Sequence, residues 1–218
     1  MNTNATIDAI EALNDTLVVV TITPDDRTYK HRAGQYTVVT LEGPDGRDLM
    51  GYFSIASPPF EAPRLQLLVR LTGGDFTAVL AELKCPARCG LAEPAGSFAC
   101  ATTGDLLMVG GGTGVAPLLA MLRQAQHDGW QGEAKLIYGA RNFSELGFVR
   151  ELEAMVNEEF LDAVFFFSDR DGPIELDAAD ITERTQLHTC GPKPMIASIL
   201  EQAKGLGLRD EHAHVETY

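Results

Sequence analysis

Positive charge is scarce in this chain. Its 17 lysines and arginines face 31 aspartates and glutamates, a formal net charge of −14 at pH 7. That balance argues against nucleic acid and anionic membrane as partners, because both need a basic surface. It admits a basic or neutral protein partner, and it serves solubility equally well. Cysteine is sparse too. The 4 cysteines are Cys85, Cys89, Cys100 and Cys190, with no CxxC among them. A plant-type iron–sulfur cluster needs C-x4-C-x2-C and a distant fourth cysteine, which this chain does not supply. His31, His127, His188, His212 and His214 form no ligand-spaced pair with the cysteines, which argues against a zinc site. His212 and His214 alternate, as on a strand. The thiols read as reduced and structural. No apolar run approaches the roughly 18 residues of a membrane span. The opening MNTNATIDAIEALNDT lacks the basic and apolar regions of a signal peptide. The expectation is a cytoplasmic protein without membrane insertion.

Repeats and low-complexity stretches are absent as well, so organisation must be read from local pattern. At 218 residues the chain suits one large domain or two small ones. Its first hundred residues hold short runs rich in β-branched and aromatic side chains, at 16–22, 35–41, 51–56 and 65–71. Turn clusters at 24–26, 43–46 and 58–63 separate them. This spacing predicts an antiparallel barrel. One stretch, 76–83, carries apolar residues at helix spacing. From about residue 102 the pattern changes. Strand-like runs at 106–109, 135–138, 163–167 and 186–190 alternate with helix-like stretches at 117–126, 144–156, 175–181 and 194–204. Such alternation predicts a parallel sheet with helices on its faces. The predicted fold is a two-domain β-barrel plus α/β protein. The barrel occupies 1–101, the α/β domain 102–218, with a hinge at 102–105.

The GxGxxG of dinucleotide folds is missing. In its place Leu106–Pro117 reads LLMVGGGTGVAP. A strand that stops at glycines and restarts as a helix presents backbone N–H groups and the positive end of the helix dipole, a site for phosphate oxygens. Glycine lets a pyrophosphate approach the backbone closely. The same turn also serves where a helix merely packs tightly on a sheet.

Further segments line up with this one: GYFSIAS at 51–57, GGDFT at 73–77, TCGPKPM at 189–195 and the terminal HVETY. In this order they resemble the ferredoxin–NADP reductase superfamily of flavin-dependent reductases, over nearly the whole chain. The resemblance implies an antiparallel flavin-binding barrel followed by a parallel-sheet domain for NAD(H) or NADP(H). It implies hydride transfer from the nicotinamide to FAD, and onward electron transfer to a separate protein or small-molecule acceptor. An NADPH-dependent ferredoxin or flavodoxin reductase, an electron-transfer subunit of a larger complex and a non-catalytic sensor are the alternatives. Any iron–sulfur cluster would belong to a partner.

The resemblance also assigns residues. Ser54 would lie beside the flavin atom that accepts hydride, Cys190 near the nicotinamide carbon that gives it. Glu216 would be the terminal carboxylate and Tyr218 the aromatic that covers the flavin. The implied cofactor-binding set adds Tyr52, Phe53, Val69, Arg70, Gly74, Phe76 and Thr77. It continues through Gly111, Gly112, Thr113, Gly114 and Pro117, then Ser168, Asp169 and Arg170, and ends with Gly191, Pro192 and Met195. The family's first flavin motif, R-x-Y-S, is altered here: Gly51 replaces the arginine that pairs with the flavin pyrophosphate, and Phe53 replaces the tyrosine. Arg70 or Arg47 could substitute for the lost charge, and FMN in place of FAD stays open. Asp169 stands where NADP-using members usually carry arginine. A carboxylate accepts from a ribose 2′-hydroxyl and repels a 2′-phosphate, which favours NADH, while Arg170 could still reach a phosphate.

Overall fold

Period-two alternation builds the first sheet. The computed structural model describes the backbone of residues 2–217 and the side chains of residues 3–217. Strands β1 (Asn2–Ala12), β2 (Leu17–Pro24), β3 (Tyr36–Glu42), β4 (Asp48–Ser54), β5 (Leu65–Arg70) and β6 (Ala87–Ala92) form an antiparallel sheet in the order β4-β3-β6-β1-β2-β5. A bridge between Ile55 and Leu67 joins its two edges into a nearly closed barrel. Ile7, Val20, Ile22, Leu67, Val69 and Leu91 fill the interior. Each such fully buried side chain contributes about 1.5–3 kcal/mol. Helix α1 (Asp75–Glu82) adds Leu80, with Phe76 and Val79 at the margin.

Sequence reading misses β1 and β6. The apolar positions of β1, Ala5 and Ile7, alternate among Asn4, Thr6 and Asp8, so the segment looks polar. Yet it lies between β2 and β6 in the barrel. In β6 the inward positions are Cys89 and Leu91, flanked by Arg88 and Gly90.

The second sheet is parallel, in the order β11-β10-β7-β8-β9. Its elements are β7 (Asp105–Gly111), α2 (Val115–His127), β8 (Ala134–Ala140), α3 (Val149–Asn157), β9 (Asp162–Phe167), β10 (Thr185–Gly191), α4 (Lys193–Gly205) and β11 (Ala213–Thr217). Strand β7 reads as a continuous apolar run because both faces are covered. Leu106 and Met108 pack with α2 and α3, Leu107 and Val109 with α4. Pro117 sits in the first turn of α2, where the missing N–H costs nothing.

Two predicted helices shrink. The stretch 144–156 is helical only from Val149, after a 3-10 turn at Phe143–Glu145. The break lies at Gly147 and Phe148: the Gly147 N–H donates to the Tyr138 hydroxyl at 3.0 Å, and Phe148 turns left-handed at φ 58°. The stretch 175–181 keeps only a 3-10 turn at Ala178–Asp180. Gln202 of α4 stitches the chain before it, accepting from Leu176 N–H at 2.8 Å and donating to the Ile174 carbonyl at 3.0 Å. His212 ends a further 3-10 turn, so only His214 lies on β11.

One guanidinium ties the two sheets together. Arg123 of α2 donates to both carboxylate oxygens of Glu151 on α3, at 2.5 and 2.6 Å. It also donates to the Ala56 carbonyl at 2.8 Å and to Gln66 at 3.0 Å, both on the barrel side. Among the described residues no helix is long and apolar enough to cross a membrane.

Candidate functional site

Strand order fixes where a ligand can enter. From β7 the chain proceeds to β8 on one side, while β10 flanks β7 on the other. The loops leaving β7 and β10 therefore diverge, and ligands of open α/β sheets bind in such a crevice. Here the crevice opens toward the barrel and forms one cleft of about 1140 Å³. Its barrel wall carries Gly51, Tyr52, Phe53, Ser54, Arg70, Phe76 and Thr77. Its sheet wall carries Gly111, Gly112, Thr113, Ser168, Pro192 and Met195.

Two helices begin at this cleft, one from each wall. Gly74 opens α1, while α2 continues from a 3-10 turn at Gly112–Gly114 whose Gly112 carbonyl accepts the Val115 N–H. The open N–H groups of α2 therefore lie at the start of that turn, and neither start has a side-chain cap. Their first-turn residues Phe76, Thr77 and Ala116 line the cleft. Uncapped helix N-termini hold unsatisfied donors and favour anions. The glycines of the β7 loop are enforced by crowding. A Cβ on Gly111 would stand 2.6 Å from the Met195 sulfur, and one on Gly114 would stand 2.2 Å from the Cys190 carbonyl oxygen. The Tyr138 hydroxyl supports the loop from beneath, donating to the Gly112 carbonyl at 3.1 Å.

Gly51 and Phe53 are linked by packing. A Cβ on Gly51 would meet the Phe53 ring at 2.3 Å and the Phe76 ring at 3.0 Å. With Phe53 in this position, no side chain fits at residue 51. Gly51 and Phe53 thus form one packing unit, a ring laid over a bare strand. Of the two candidate substitutes, Arg47 pairs with Asp45 on the exposed β3–β4 hairpin and stays out of the cleft. Arg70 does line the cleft, but its Nη1 donates to Glu145 at 3.2 Å.

The remaining site residues divide by depth. The Ser54 hydroxyl reaches the cleft and has no hydrogen-bond partner among the described residues. Val69, Gly114, Pro117 and Cys190 are buried and do not line the cleft. Cys190 pairs in register with Glu216 across β10 and β11. Burial, and then the Glu216 carboxylate, push the Cys190 thiol up to about 12, so it stays neutral. Burial likewise raises the carboxyl of Glu216 above its ordinary value. Gly191, at φ 154°, turns the chain out of β10 into Pro192. Asp169 and Arg170 follow Ser168 on the exposed turn after β9. Tyr218 lies outside the described residues. Sequence reading missed Tyr138, Glu145 and Arg123. Tyr138 was within reach, because it approaches the C-terminal end of a parallel strand. Glu145 and Arg123 show no local signal, since their partners are 75 and 28 residues away.

A cleft with a phosphate-suited helix start on each wall, one from an antiparallel barrel and one from a parallel sheet, defines the class of two-domain flavin and nicotinamide nucleotide reductases. Residues 108–201 match the family model of the oxidoreductase NAD-binding domain. Ferredoxin–NADP reductase B of Sorangium cellulosum is 30% identical over 215 residues, covering 89% of this chain and 88% of that protein. The reductase component 2 of terephthalate 1,2-dioxygenase from Comamonas sp. is 27% identical over 210 residues, covering 89% of this chain and 61% of that one. The chain thus spans about three fifths of the latter's length. Among solved structures, the flavohem-like FAD/NAD-binding domain of nitric oxide dioxygenase from Vibrio cholerae O1 biovar El Tor superposes with a TM-score of 0.89 at 17% identity, covering 99% of this chain and 98% of that one. The chain belongs to the ferredoxin–NADP reductase superfamily.

Proposed function

We propose that the chain is an FAD-dependent NAD(P)H oxidoreductase that favours NADH and passes electrons to a separate acceptor. One observation carries this reading: two uncapped helix N-termini face a single cleft from opposite walls. That arrangement suits two pyrophosphates, one at α1 for the flavin and one at α2 for the nicotinamide nucleotide. When bound, the flavin supplies a two-electron acceptor that can release electrons singly, which no side chain provides.

The protein's own groups bind, orient and exclude water. The first turns of α1 and α2 hold anionic oxygens. Phe53 and Phe76, with ring centroids 5.3 Å apart, give the barrel wall an apolar surface for an aromatic ring system. The unpartnered Ser54 hydroxyl can donate to a nitrogen at that wall. Neutral Cys190 and half-buried Glu216, at adjacent register positions, set the end of β10 where the nicotinamide would lie. By resemblance, Tyr218 would cover the flavin and move aside for the nicotinamide. The acceptor is a separate protein or small molecule, and the chain's negative charge suits a basic protein partner. We place the protein in the cytoplasm, where its 4 free cysteines stay reduced.

Releasing the flavin from purified protein for chromatography, then titrating with NADH and NADPH, tests the reading. The protein should purify yellow with FAD. A colourless protein that takes up no flavin would sink the proposal. Without the motif arginine, FAD should bind about 1.5–3 kcal/mol more weakly than in relatives that keep it. Glu145→Gln releases Arg70 and should lower the Kd for FAD, measured by fluorescence quenching. An unchanged Kd would remove Arg70 from the flavin site. NADH should reduce the flavin with higher kcat/KM than NADPH, and Asp169→Ser should narrow the gap by about 1–3 kcal/mol in transition-state terms. A tenfold wild-type preference for NADPH would show that Asp169 does not govern the site.

A further inference from the structure

Arg170 is the guanidinium nearest in sequence to Ser168, the cleft residue at the end of β9, and it is already engaged. Its Nε and Nη2 donate to the two carboxylate oxygens of Asp171, at 2.6 and 2.9 Å. Asp171 is itself fixed by the turn. Its carboxylate accepts the Phe167 N–H at 2.9 Å, and its own N–H donates to the Phe167 carbonyl at 2.7 Å. The guanidinium carbon lies 5.0 Å from the centroid of the Phe167 ring. Arg170 is thus folded back onto the strand it follows. A second cation of the same rim, Arg141, faces Glu145 with Nε 3.8 Å from the carboxylate. Asp169 carries no such partner among the described residues.

We propose that Asp171 is a coenzyme-specificity residue, which clamps Arg170 away from the ribose 2′ position and so disfavours a 2′-phosphorylated nucleotide. The proposal rests on the reading of this cleft as a nicotinamide nucleotide site. A 2′-hydroxyl needs an acceptor, and Asp169 offers one. A 2′-phosphate needs a guanidinium, and the clamp withholds it. Discrimination then comes from a repulsive carboxylate and a sequestered cation acting together. Asp171 touches no substrate in this scheme, because it acts through Arg170. A fork-shaped bidentate pair suits this role, since a carboxylate engaged that way occupies the donors a phosphate would use.

Adenosine 5′-monophosphate and adenosine 2′,5′-bisphosphate are the probes, titrated calorimetrically at low salt into the flavin-loaded wild type, Asp171→Asn, and Asp171→Asn combined with Arg170→Gln. Wild type should bind the monophosphate more tightly. Asp171→Asn should tighten the bisphosphate about two- to fivefold, the most that breaking one exposed ion pair can return. The monophosphate should move less than about twofold, since it lacks the group that Arg170 would meet. Adding Arg170→Gln should return the bisphosphate to its wild-type affinity. A gain that survives Arg170→Gln would show that a change of local charge, not release of Arg170, was responsible, and would overturn the clamp. Equal gains for both nucleotides would overturn it as well. Failure of all three proteins to bind either nucleotide would overturn the nucleotide site itself, and the clamp with it.

Discussion

Gly114→Ala should destabilise the protein by about 3 kcal/mol and lower kcat/KM for NADH by about a hundredfold. The argument is one of space. At φ −63° Gly114 is in the helical region, so an alanine could adopt its conformation. Its Cβ would meet backbone only: the Cys190 carbonyl oxygen at 2.2 Å, that carbonyl's carbon at 2.6 Å and the Gly191 nitrogen at 2.9 Å. No rotamer can yield, so the end of β10 must move away from the start of α2. These are the two elements that flank the crevice. Their separation displaces the Gly111–Thr113 loop and Pro192 together, and misplacement by about 1 Å is enough for a hundredfold loss. Gly46→Ala is the contrast. Nothing stands within 4 Å of a Cβ there, but φ is 78°. That variant should lose about 1 kcal/mol and keep its coenzyme kinetics. Thermal unfolding with steady-state NADH kinetics distinguishes the two. A Gly114→Ala protein with wild-type kcat/KM would show that contact with β10 does not set the loop.

The same contact shows what a single sequence reveals and what it withholds. The run LLMVGGGTGVAP announces a strand, a phosphate-suited turn and a helix, because each is a local preference of backbone and side chain. It does not announce that Gly114 touches Cys190, which lies 76 residues on. The barrel strands β2 to β5 were legible from β-branched runs between turn clusters. β1 was not, because half of its positions face outward and are polar, and its pairing with β2 and β6 decides the matter. Helix α3 began late because a tyrosine hydroxyl from another strand took the N–H of Gly147. In the site, the exchange of arginine for Gly51 was visible as a missing charge. The packing of the Phe53 ring over that glycine, and the pairing of Arg70 with Glu145, are tertiary facts. Arg170 is legible as an ambiguous cation, and its pairing with the neighbouring Asp171 is visible only in the geometry of the turn.

Acid should weaken this protein through His188. The imidazole is fully buried on β10, and its Nε2 accepts the Ala101 N–H at 3.0 Å. That bond places the proton on Nδ1, which pairs with the Gln186 carbonyl at 3.2 Å. The ring stacks on His214 of β11, with centroids 4.6 Å apart and Phe98 at its edge. Burial, and then the charge His214 would carry, lower the His188 pKa from 6.5 to about 4. The folded state therefore resists a proton that the unfolded state accepts. Its stability contribution is fully present above pH 6.5 and is lost as pH falls toward 4. The loss amounts to roughly 3 kcal/mol over that window. His214 adds to it in the same direction, since burial and then His212 depress its pKa. His188→Gln keeps an acceptor for Ala101 and removes the titration. At pH 7.5 the variant should lose about 1–2 kcal/mol from the forfeited stack and packing. Between pH 7.5 and 4.5 its stability should then fall by about 2–3 kcal/mol less than that of wild type. Urea unfolding of both proteins at the two pH values measures this. Parallel losses would mean that His188 takes up its proton in the folded protein without cost. In the expected case, acid acts at the point where the segment between barrel and parallel sheet is held to β10. Protonation of this one buried ring then forfeits the Ala101 bond as well, so loosening there should precede unfolding of either sheet.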